Sequence, residues 1–379
     1  MTGPAGAVLP SGAAALPAGA VVAVTGATGQ LGQALLERFI CLATSAGEQG
    51  ASSLAGTELR TLSRRPLPRW LAAALQGGPA SSGGPQGAGV KVTDEEARPG
   101  PTAAHVVHTC ADVRSLAARE AIEGADLVVH LAARIWPGSG VAAREEMRSV
   151  NLDGTLNVLA ARPKAVVFAS SAAVYGAWPD NPLPLGEDWE PRPNAECQYA
   201  VDKLLGEQAV AEGVQRWAVL RLCAVLGPHA DRRVSRSLAG YRWAVPEVRG
   251  CPQALQWLDE ADAAEAIWRA GADLLGPGRA SGQVLNVATK DWLGAPQMAT
   301  LASSRVLSAP RRLVLAAAEL GRRAGLSPFG ADRAALICGP LALSPEKAAD
   351  LLSWQPSKSS REVFAAALAR GWRQAPRNR

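Results

Sequence analysis

Lysine, tyrosine and histidine are scarce in this chain. Its 379 residues include six lysines, three tyrosines and four histidines, so the 39 Lys+Arg cations are almost all arginine. The net charge of +5 is spread out, with no basic block of the kind that tracks phosphates along a nucleic acid. Nucleic acid is therefore not an expected partner. The six cysteines (Cys41, Cys110, Cys197, Cys223, Cys251 and Cys338) form no CxxC pair, which suits neither a disulfide framework nor a zinc site. His105 and His108 likewise lack the thiols or carboxylates that would complete a metal site, and no metal is expected. A reducing cytoplasm is the expected location. No stretch of about eighteen or more residues is apolar enough to span a bilayer, so no membrane role is expected. The apolar, Ala/Gly/Pro-rich stretch Met1–Ala20 lacks the basic start of a signal peptide, and residues 1–19 are expected to be a flexible N-terminal segment.

What remains is the composition of a globular enzyme-sized chain, 48% hydrophobic and 19% charged. Val21–Thr25 is a continuous apolar run, as expected of a strand buried on both faces. Further strands are expected at Glu58–Leu62, His105–Thr109, Asp126–Leu131, Ala165–Ser170, Trp217–Leu222, Leu255–Leu258 and Val284–Val287. Helices are expected at Val113–Ala121, Ala142–Ala161, Gln198–Ala211, Ala261–Ala272 and Arg361–Ala369. Strand and helix alternating with short joints specify an α/β Rossmann fold, a doubly wound parallel sheet. The expected divisions are a dinucleotide-binding domain over 20–244 and a smaller substrate-binding lobe over 245–379. Residues 66–104, rich in Pro, Gly and Ser, are expected to be a flexible insertion, nearly featureless across Gly77–Gly89. Arg311–Arg323 is amphipathic and is expected to be a packed helix of the second lobe rather than a membrane-surface helix.

The first strand runs into Gly26-Ala27-Thr28-Gly29-Gln30-Leu31-Gly32. Glycines at this spacing serve a tight turn, a close backbone approach to a pyrophosphate and close packing of helix on strand, while the helix N-terminus faces the phosphates. The second strand ends in Ser63-Arg64-Arg65, with no carboxylate for ribose hydroxyls and two guanidinium groups for a 2′-phosphate. NADP(H) is thus favoured, with NAD(H) the alternative. Asp112-Val113 follows the third strand, where a carboxylate can accept from an adenine amino group. Leu131-Ala132-Ala133 ends the next strand with small residues where a cofactor passes close to backbone. His130 beside them is assigned no chemistry.

Tyr199 and Lys203 are four apart on an expected helix and so share a face. A nearby ammonium favours phenolate, which lets the phenol exchange a proton with a substrate oxygen near neutral pH. Ser171, at a strand end, can hold that oxygen. Four of the eleven tryptophans, Trp136, Trp178, Trp189 and Trp257, could contribute a stacking surface, although packing is the ordinary role of each.

These residues together resemble an extended short-chain dehydrogenase/reductase of the NAD-dependent epimerase/dehydratase family, over about residues 20 to 375. The marks are Thr25-Gly26-x-x-Gly29-x-x-Gly32, Asp112-Val113, His130-x-Ala132-Ala133 and Asn151 opening the long fourth helix. They continue with Phe168–Gly176, Tyr199-x-x-x-Lys203, Leu220-Arg221 through Leu226-Gly227-Pro228, Gln256-Trp257 through Ala266, Leu285-Asn286-Val287 and Leu352–Pro356. The resemblance implies an NAD(P)-dependent oxidoreductase acting at an alcohol/carbonyl carbon of a small-molecule substrate. It also implies a homodimer through the fourth and fifth helices. One route is epimerisation of a nucleotide sugar by oxidation and re-reduction on the opposite face. Another is one-way NADPH-dependent reduction of a ketone or aldehyde, including a steroid-like one. A third reading is a nucleotide-sensing regulator without chemistry, against which an intact Ser171, Tyr199 and Lys203 argues. Family dehydratases carry Asp-Glu directly after the catalytic Ser/Thr, and the related decarboxylases keep the Glu. Here Ala172 and Ala173 stand there, which disfavours elimination and decarboxylation. Leu222 also departs from the proline common after Arg221.

Overall fold

A computed structural model describes residues 15–45, 54, 56–75, 91–92, 105–136, 140–251, 253–325, 327 and 329–374. The strands are β1 (Val21–Thr25), β2 (Glu58–Ser63), β3 (Lys91–Val92), β4 (His105–Cys110), β5 (Leu127–His130), β6 (Ala165–Ser171) and β7 (Arg216–Leu222). They continue with β8 (Ala224–Leu226), β9 (Ala244–Val248), β10 (Ala254–Leu255), β11 (Trp257–Asp259), β12 (Gln283–Val287), β13 (Arg305–Ala309) and β14 (Pro340–Leu341). The helices are α1 (Gln30–Ser45), α2 (Arg69–Leu75), α3 (Leu116–Ile122), α4 (Val141–Arg148), α5 (Gly154–Ala160), α6 (Gln198–Gly213) and α7 (Arg232–Gly240). The remainder are α8 (Glu260–Leu275), α9 (Ala295–Leu301), α10 (Arg311–Arg323), α11 (Ala331–Ala334), α12 (Glu346–Leu352) and α13 (Ser360–Gln374).

Eight strands form one parallel sheet in the order β12-β7-β6-β5-β1-β2-β4-β3. The apolar runs of β1, β5 and β6 are buried on both sides because side chains alternate between faces. Val22, Val24, Val129 and Val167 join one core cluster with Leu36 and Phe39 of α1 and Ile267 of α8. Ala23, Val128, Val166 and Phe168 join the other with Val158 of α5 and Val210 of α6. The doubly wound architecture is the one the alternating pattern specifies. Since every strand of the sheet is parallel, their carboxyl ends line one edge, and that edge collects the loops with chemical side chains.

Several boundaries differ from the sequence expectation. Helix α8 packs on the sheet, and β12 pairs with β7 at its edge, so these two elements of the stretch after residue 245 belong with the large sheet. A late apolar strand reads the same whether it joins the first sheet or a new one, because periodicity carries no information about its partner. Leu16 is buried in the core cluster, so packing begins within the segment expected to be flexible. Helix α2 occupies the start of the expected 66–104 insertion and buries Leu71 and Leu75. Residues 76–90 and 93–104 of that insertion, with the featureless Gly77–Gly89, lie outside the described residues, as do residues 1–14. The expected helix 142–161 is interrupted by a π-helical turn at Ser149–Asp153, so Asn151 sits mid-helix rather than opening it. Helix α10 forms as expected and leans Val314 and Leu315 on Val248, Cys251 and Cys338. None of its residues is fully buried, and Leu313 and Leu320 face solvent.

Helix α6 is fixed to the sheet by polar groups as much as by packing. Glu207 and Arg221 form a bidentate pair, with Nε and Nη2 donating at 3.1 and 2.7 Å, and both side chains are almost fully buried. Ser170 donates to the same carboxylate, and the guanidinium lies 4.7 Å over the Tyr175 ring. Removing one partner would strand a buried charge. Arg221→Met should therefore cost about 3–5 kcal/mol in a denaturant titration; a loss within about 0.5 kcal/mol, typical of surface sites, would contradict this role.

A second polar knot ties α1 and α8 to the loop after β8. His229 Nδ1 and Glu260 Oε1 are 2.7 Å apart, Glu37 lies 3.5 Å from Nε2, and Trp70 stacks on the imidazole. The hydrogen bond to Glu260 raises the His229 pKa above the ordinary 6.5, against the opposing effect of burial. A raised folded-state pKa gives stability that is fully present below 6.5 and is lost as pH rises through the folded value. Denaturation midpoints of the wild type should thus fall across that interval, and His229→Asn should flatten the fall. An unchanged slope in the variant would refute the linkage.

Candidate active site

The glycine turn lies where β1 meets α1. Gly26 has φ +75°, and a Cβ there would sit 2.7 Å from the Ala132 nitrogen, so the ends of β1 and β5 meet only through glycine. A Cβ on Gly32 would lie 2.7 Å from backbone of Ala27, and one on Gly29 would lie 3.1 Å from the Gly26 carbonyl. Gly26 and Ala27 donate to the Leu62 carbonyl, locking the turn to β2. This is a backbone cradle that side chains would fill, opening at a helix N-terminus with unpaired N–H groups, and it can hold a pyrophosphate. Thr28 and Leu31 line the same turn. Gln30 is instead turned to Glu260 and the Val225 carbonyl, at 3.0 and 3.3 Å.

Ser63 is buried at the end of β2 and donates to the Arg65 carbonyl at 2.7 Å, which shapes the turn and leaves Arg64 and Arg65 exposed. Asp112 follows β4 with its carboxylate gripped by Arg114, whose Nε and Nη2 donate at 2.9 and 3.0 Å. That hydrogen bonding holds the Asp112 carboxyl below the ordinary carboxylate range. Val113 is buried against Gly154, where a Cβ would come within 2.6 Å of its methyl. At the end of β5, His130 is buried between Thr25 Oγ1 (2.7 Å) and Thr155 Oγ1 (3.0 Å), and burial lowers it to about 3. Leu131, Ala132 and Ala133 follow it beside Gly26, with the Ala132 N–H donating to Thr25 Oγ1 at 3.2 Å.

Ser171, Tyr199 and Lys203 converge at the carboxyl end of β6. Ser171 caps the short turn Ala172–Tyr175 by accepting from the Ala173 N–H at 3.2 Å, and its hydroxyl acts to lower the pKa of the Tyr199 phenol. Ala172 and Ala173 are both buried in that turn, so neither of the two positions after the serine carries an acid. Lys203 is buried, donates to the Ala169 carbonyl at 2.6 Å and lies 4.6 Å over the Phe168 ring. Burial lowers its ammonium to about 8. Helix α6 approaches this closely because Gly206 faces Phe168, where a Cβ would meet the ring at 2.7 Å.

Two features differ from the sequence reading. Lys203 lies over the Tyr199 ring, at 5.9 Å, and one of its three N–H groups donates to the Ala169 carbonyl. Burial raises the Tyr199 pKa, and the opposing cation is Arg333 of α11, whose guanidinium lies 4.7 Å over the ring. No sequence signal marked Arg333, one of many arginines and more than a hundred residues away. The second feature is the support behind the helix. Asn151, in the π-turn, accepts from the Arg134 N–H at 2.7 Å and reaches Asp202 at 3.4 Å, and Gln198 donates to Asp202 at 2.7 Å. Glu207 could have been found in sequence, since it continues the four-residue spacing from Tyr199 and Lys203. Of the tryptophans, Trp136 borders this site, 5.6 Å from Arg333 and 5.3 Å from Phe329, while Trp257 packs on Phe364 at 5.3 Å. Among the described residues there is no cluster able to hold a metal and no helix long and apolar enough to cross a membrane.

Residues 85–288 match the NAD dependent epimerase/dehydratase family, a span that takes in Ser171, Tyr199 and Lys203. Uncharacterized protein Rv0501 of Mycobacterium tuberculosis is 36% identical over 156 residues, 38% of this chain. The chain spans about two fifths of the length of that relative, 40%. Uncharacterized protein y4nG of Sinorhizobium fredii is 27% identical over 287 residues, 69% of this chain and 66% of that protein. Among solved structures, MoeE5 in complex with UDP-glucose and NAD aligns at TM-score 0.61 and 19% identity, covering 93% of this chain and 98% of that one. The dTDP-glucose 4,6-dehydratase DesIV of Streptomyces venezuelae, with NAD and TYD bound, aligns at 0.61 and 17%, covering 93% and 97%. A UDP-galactose 4-epimerase aligns at 0.58 and 19%, covering 94% and 100%. With the family match extending over more than half of its length, the chain belongs to the NAD dependent epimerase/dehydratase family.

Proposed function

We propose that this protein is an NAD(P)-dependent oxidoreductase that interconverts an alcohol and a carbonyl on a small molecule, with a nucleotide sugar as the substrate class. The observation that carries the reading is the meeting of Ser171, Tyr199 and Lys203 at the same sheet edge as the glycine cradle. The nucleotide-sugar class is supported by the ligands named for MoeE5 and by the epimerase among the structural neighbours.

Gly26, Thr28, Gly29, Leu31 and Gly32 hold the pyrophosphate, with Asp112 and Val113 on the adenine side and Leu131, Ala132 and Ala133 along the backbone wall. Gln30 supports the turn from behind. Bound nicotinamide supplies or accepts the hydride. Ser171 donates to the reacting oxygen, and Tyr199 gives it a proton or takes one away. Lys203 ties the helix that carries Tyr199 to the strand that carries Ser171, which fixes the two hydroxyls relative to each other. Ala172 and Ala173 leave this edge without the acid/base pair an elimination needs, so the proposed chemistry stops at oxidation and reduction.

Arg64 and Arg65 favour the second reading, a one-way reductase using NADPH. Exposed guanidinium groups at the end of β2 suit a 2′-phosphate. The two readings separate on purification, since an epimerase retains its nucleotide and needs none added, whereas a reductase consumes NADPH stoichiometrically. Cytoplasmic location and a homodimer complete the proposal.

Two experiments test it. Tyr199→Phe should lower turnover by about 10²-fold or more while leaving dinucleotide affinity within a few-fold. Full turnover in that variant on an identified substrate would remove Tyr199 from the chemistry. Replacing Arg64 and Arg65 together by Ala should weaken NADPH by roughly tenfold or more in a fluorescence titration and NADH little. Equal losses for both nucleotides would dismiss the phosphate-binding role.

A further inference from the structure

A guanidinium stands beside Tyr199 with most of its hydrogen-bonding capacity unused. Arg333 reaches the site from α11, lies over the Tyr199 ring at 4.7 Å and is 5.6 Å from the Trp136 ring. Its side chain is only 15% exposed. Of the five N–H groups that a guanidinium carries, one on Nη2 donates to the Ile135 carbonyl, and Nε is buried with no hydrogen-bond partner. Asp332 lies 3.9 Å from Nε, near enough to balance part of the charge and too far to bond. The other enclosed guanidinium at this sheet edge, Arg221, is closed by the Glu207 carboxylate at 2.7 Å. Arg333 has no such partner. A buried cation paired this poorly is costly, and an orphaned donor beside a reacting group calls for an acceptor from outside the chain.

We infer that Arg333 is a substrate-recognition residue that receives a carboxylate carried next to the reacting carbon. The substrate is then a sugar acid rather than a neutral sugar. This inference rests on the proposed role of Tyr199 and narrows the proposed substrate class. Placement supports it, since an anion on a guanidinium over the phenol ring lies roughly three bonds from the oxygen that Tyr199 serves. Shape and charge support it as well. The planar fork of a guanidinium matches a carboxylate, and the Asp332 charge beside it disfavours a doubly charged phosphate. Ala173, Cys197 and Leu336, which pack around Tyr199, are uncharged side chains and leave the anion to Arg333.

The test uses two nucleotide sugars that differ only at this group, UDP-glucuronate and its hydroxymethyl counterpart UDP-glucose. Each is titrated calorimetrically into protein saturated with NADPH, so that an alcohol substrate binds without turnover. The wild type should bind the acid roughly tenfold or more tighter than the neutral sugar. Arg333→Gln should abolish that preference while changing affinity for UDP-glucose by no more than a few-fold, and Arg333→Lys should restore part of it. Equal losses on both probes would show a packing role and overturn the inference. So would a preference that survives in Arg333→Gln, or a wild type that binds both probes alike. Binding of neither probe would count against the nucleotide part of the proposed substrate class. Acetoacetate and acetoacetamide, titrated with NADP+ bound, then decide the carboxylate preference, and equal or absent binding of this pair overturns it.

Discussion

The seam between α6 and β6 is the constraint on which the site depends. Gly206 lets the helix sit directly on Phe168, Lys203 reaches through to the Ala169 carbonyl, and Glu207 closes on Ser170 and Arg221. Two successive turns of the helix contribute these contacts, so its rotation and height on the strand are fixed. Tyr199 lies one turn before Lys203 on the same face, and Ser171 lies two residues beyond Ala169 on the same strand. Their proximity follows from the seam.

Burial gives the seam its strength and also sets the electrostatics. Lys203 and the Arg221–Glu207 pair are charges enclosed by strands and helices, and each is paired with backbone or with an opposite charge, with Arg221 Nη1 alone left without a hydrogen-bond partner in this group. The Tyr199 phenol is different. Burial works against its ionisation, and the compensating cation comes from α11, outside the sheet and its flanking helices. A rigid frame therefore positions the phenol, while a short helix from the far end of the chain brings a guanidinium over its ring.

The frame was largely legible in the sequence because its signals are local. Val21–Thr25, Gly26–Gly32, the buried strand ending at Ser171 and the Tyr199/Lys203 spacing each need only a few neighbouring residues to be read. Elements lost their identity wherever the deciding contact was distant. Helix α2 is short, stands beside prolines and is recognisable only by what buries Leu71 and Leu75. Strand β12 reads as a strand in either lobe, and its pairing with β7 settles its place. The π-turn at Asn151 has no periodic signature, since it adds a residue to a helix already expected. Arg333 is the extreme case, because an arginine in an arginine-rich chain gives no hint of the ring it will cover.

The central claim is that one sheet edge brings a dinucleotide and a proton-transferring phenol together. A crystal structure of the protein grown with NADPH tests it most directly. The account predicts the pyrophosphate on the Gly26–Gly32 turn and the nicotinamide ring against the Tyr199 hydroxyl. A nucleotide bound elsewhere, or one seated on the turn with its nicotinamide directed away from Tyr199, would contradict it.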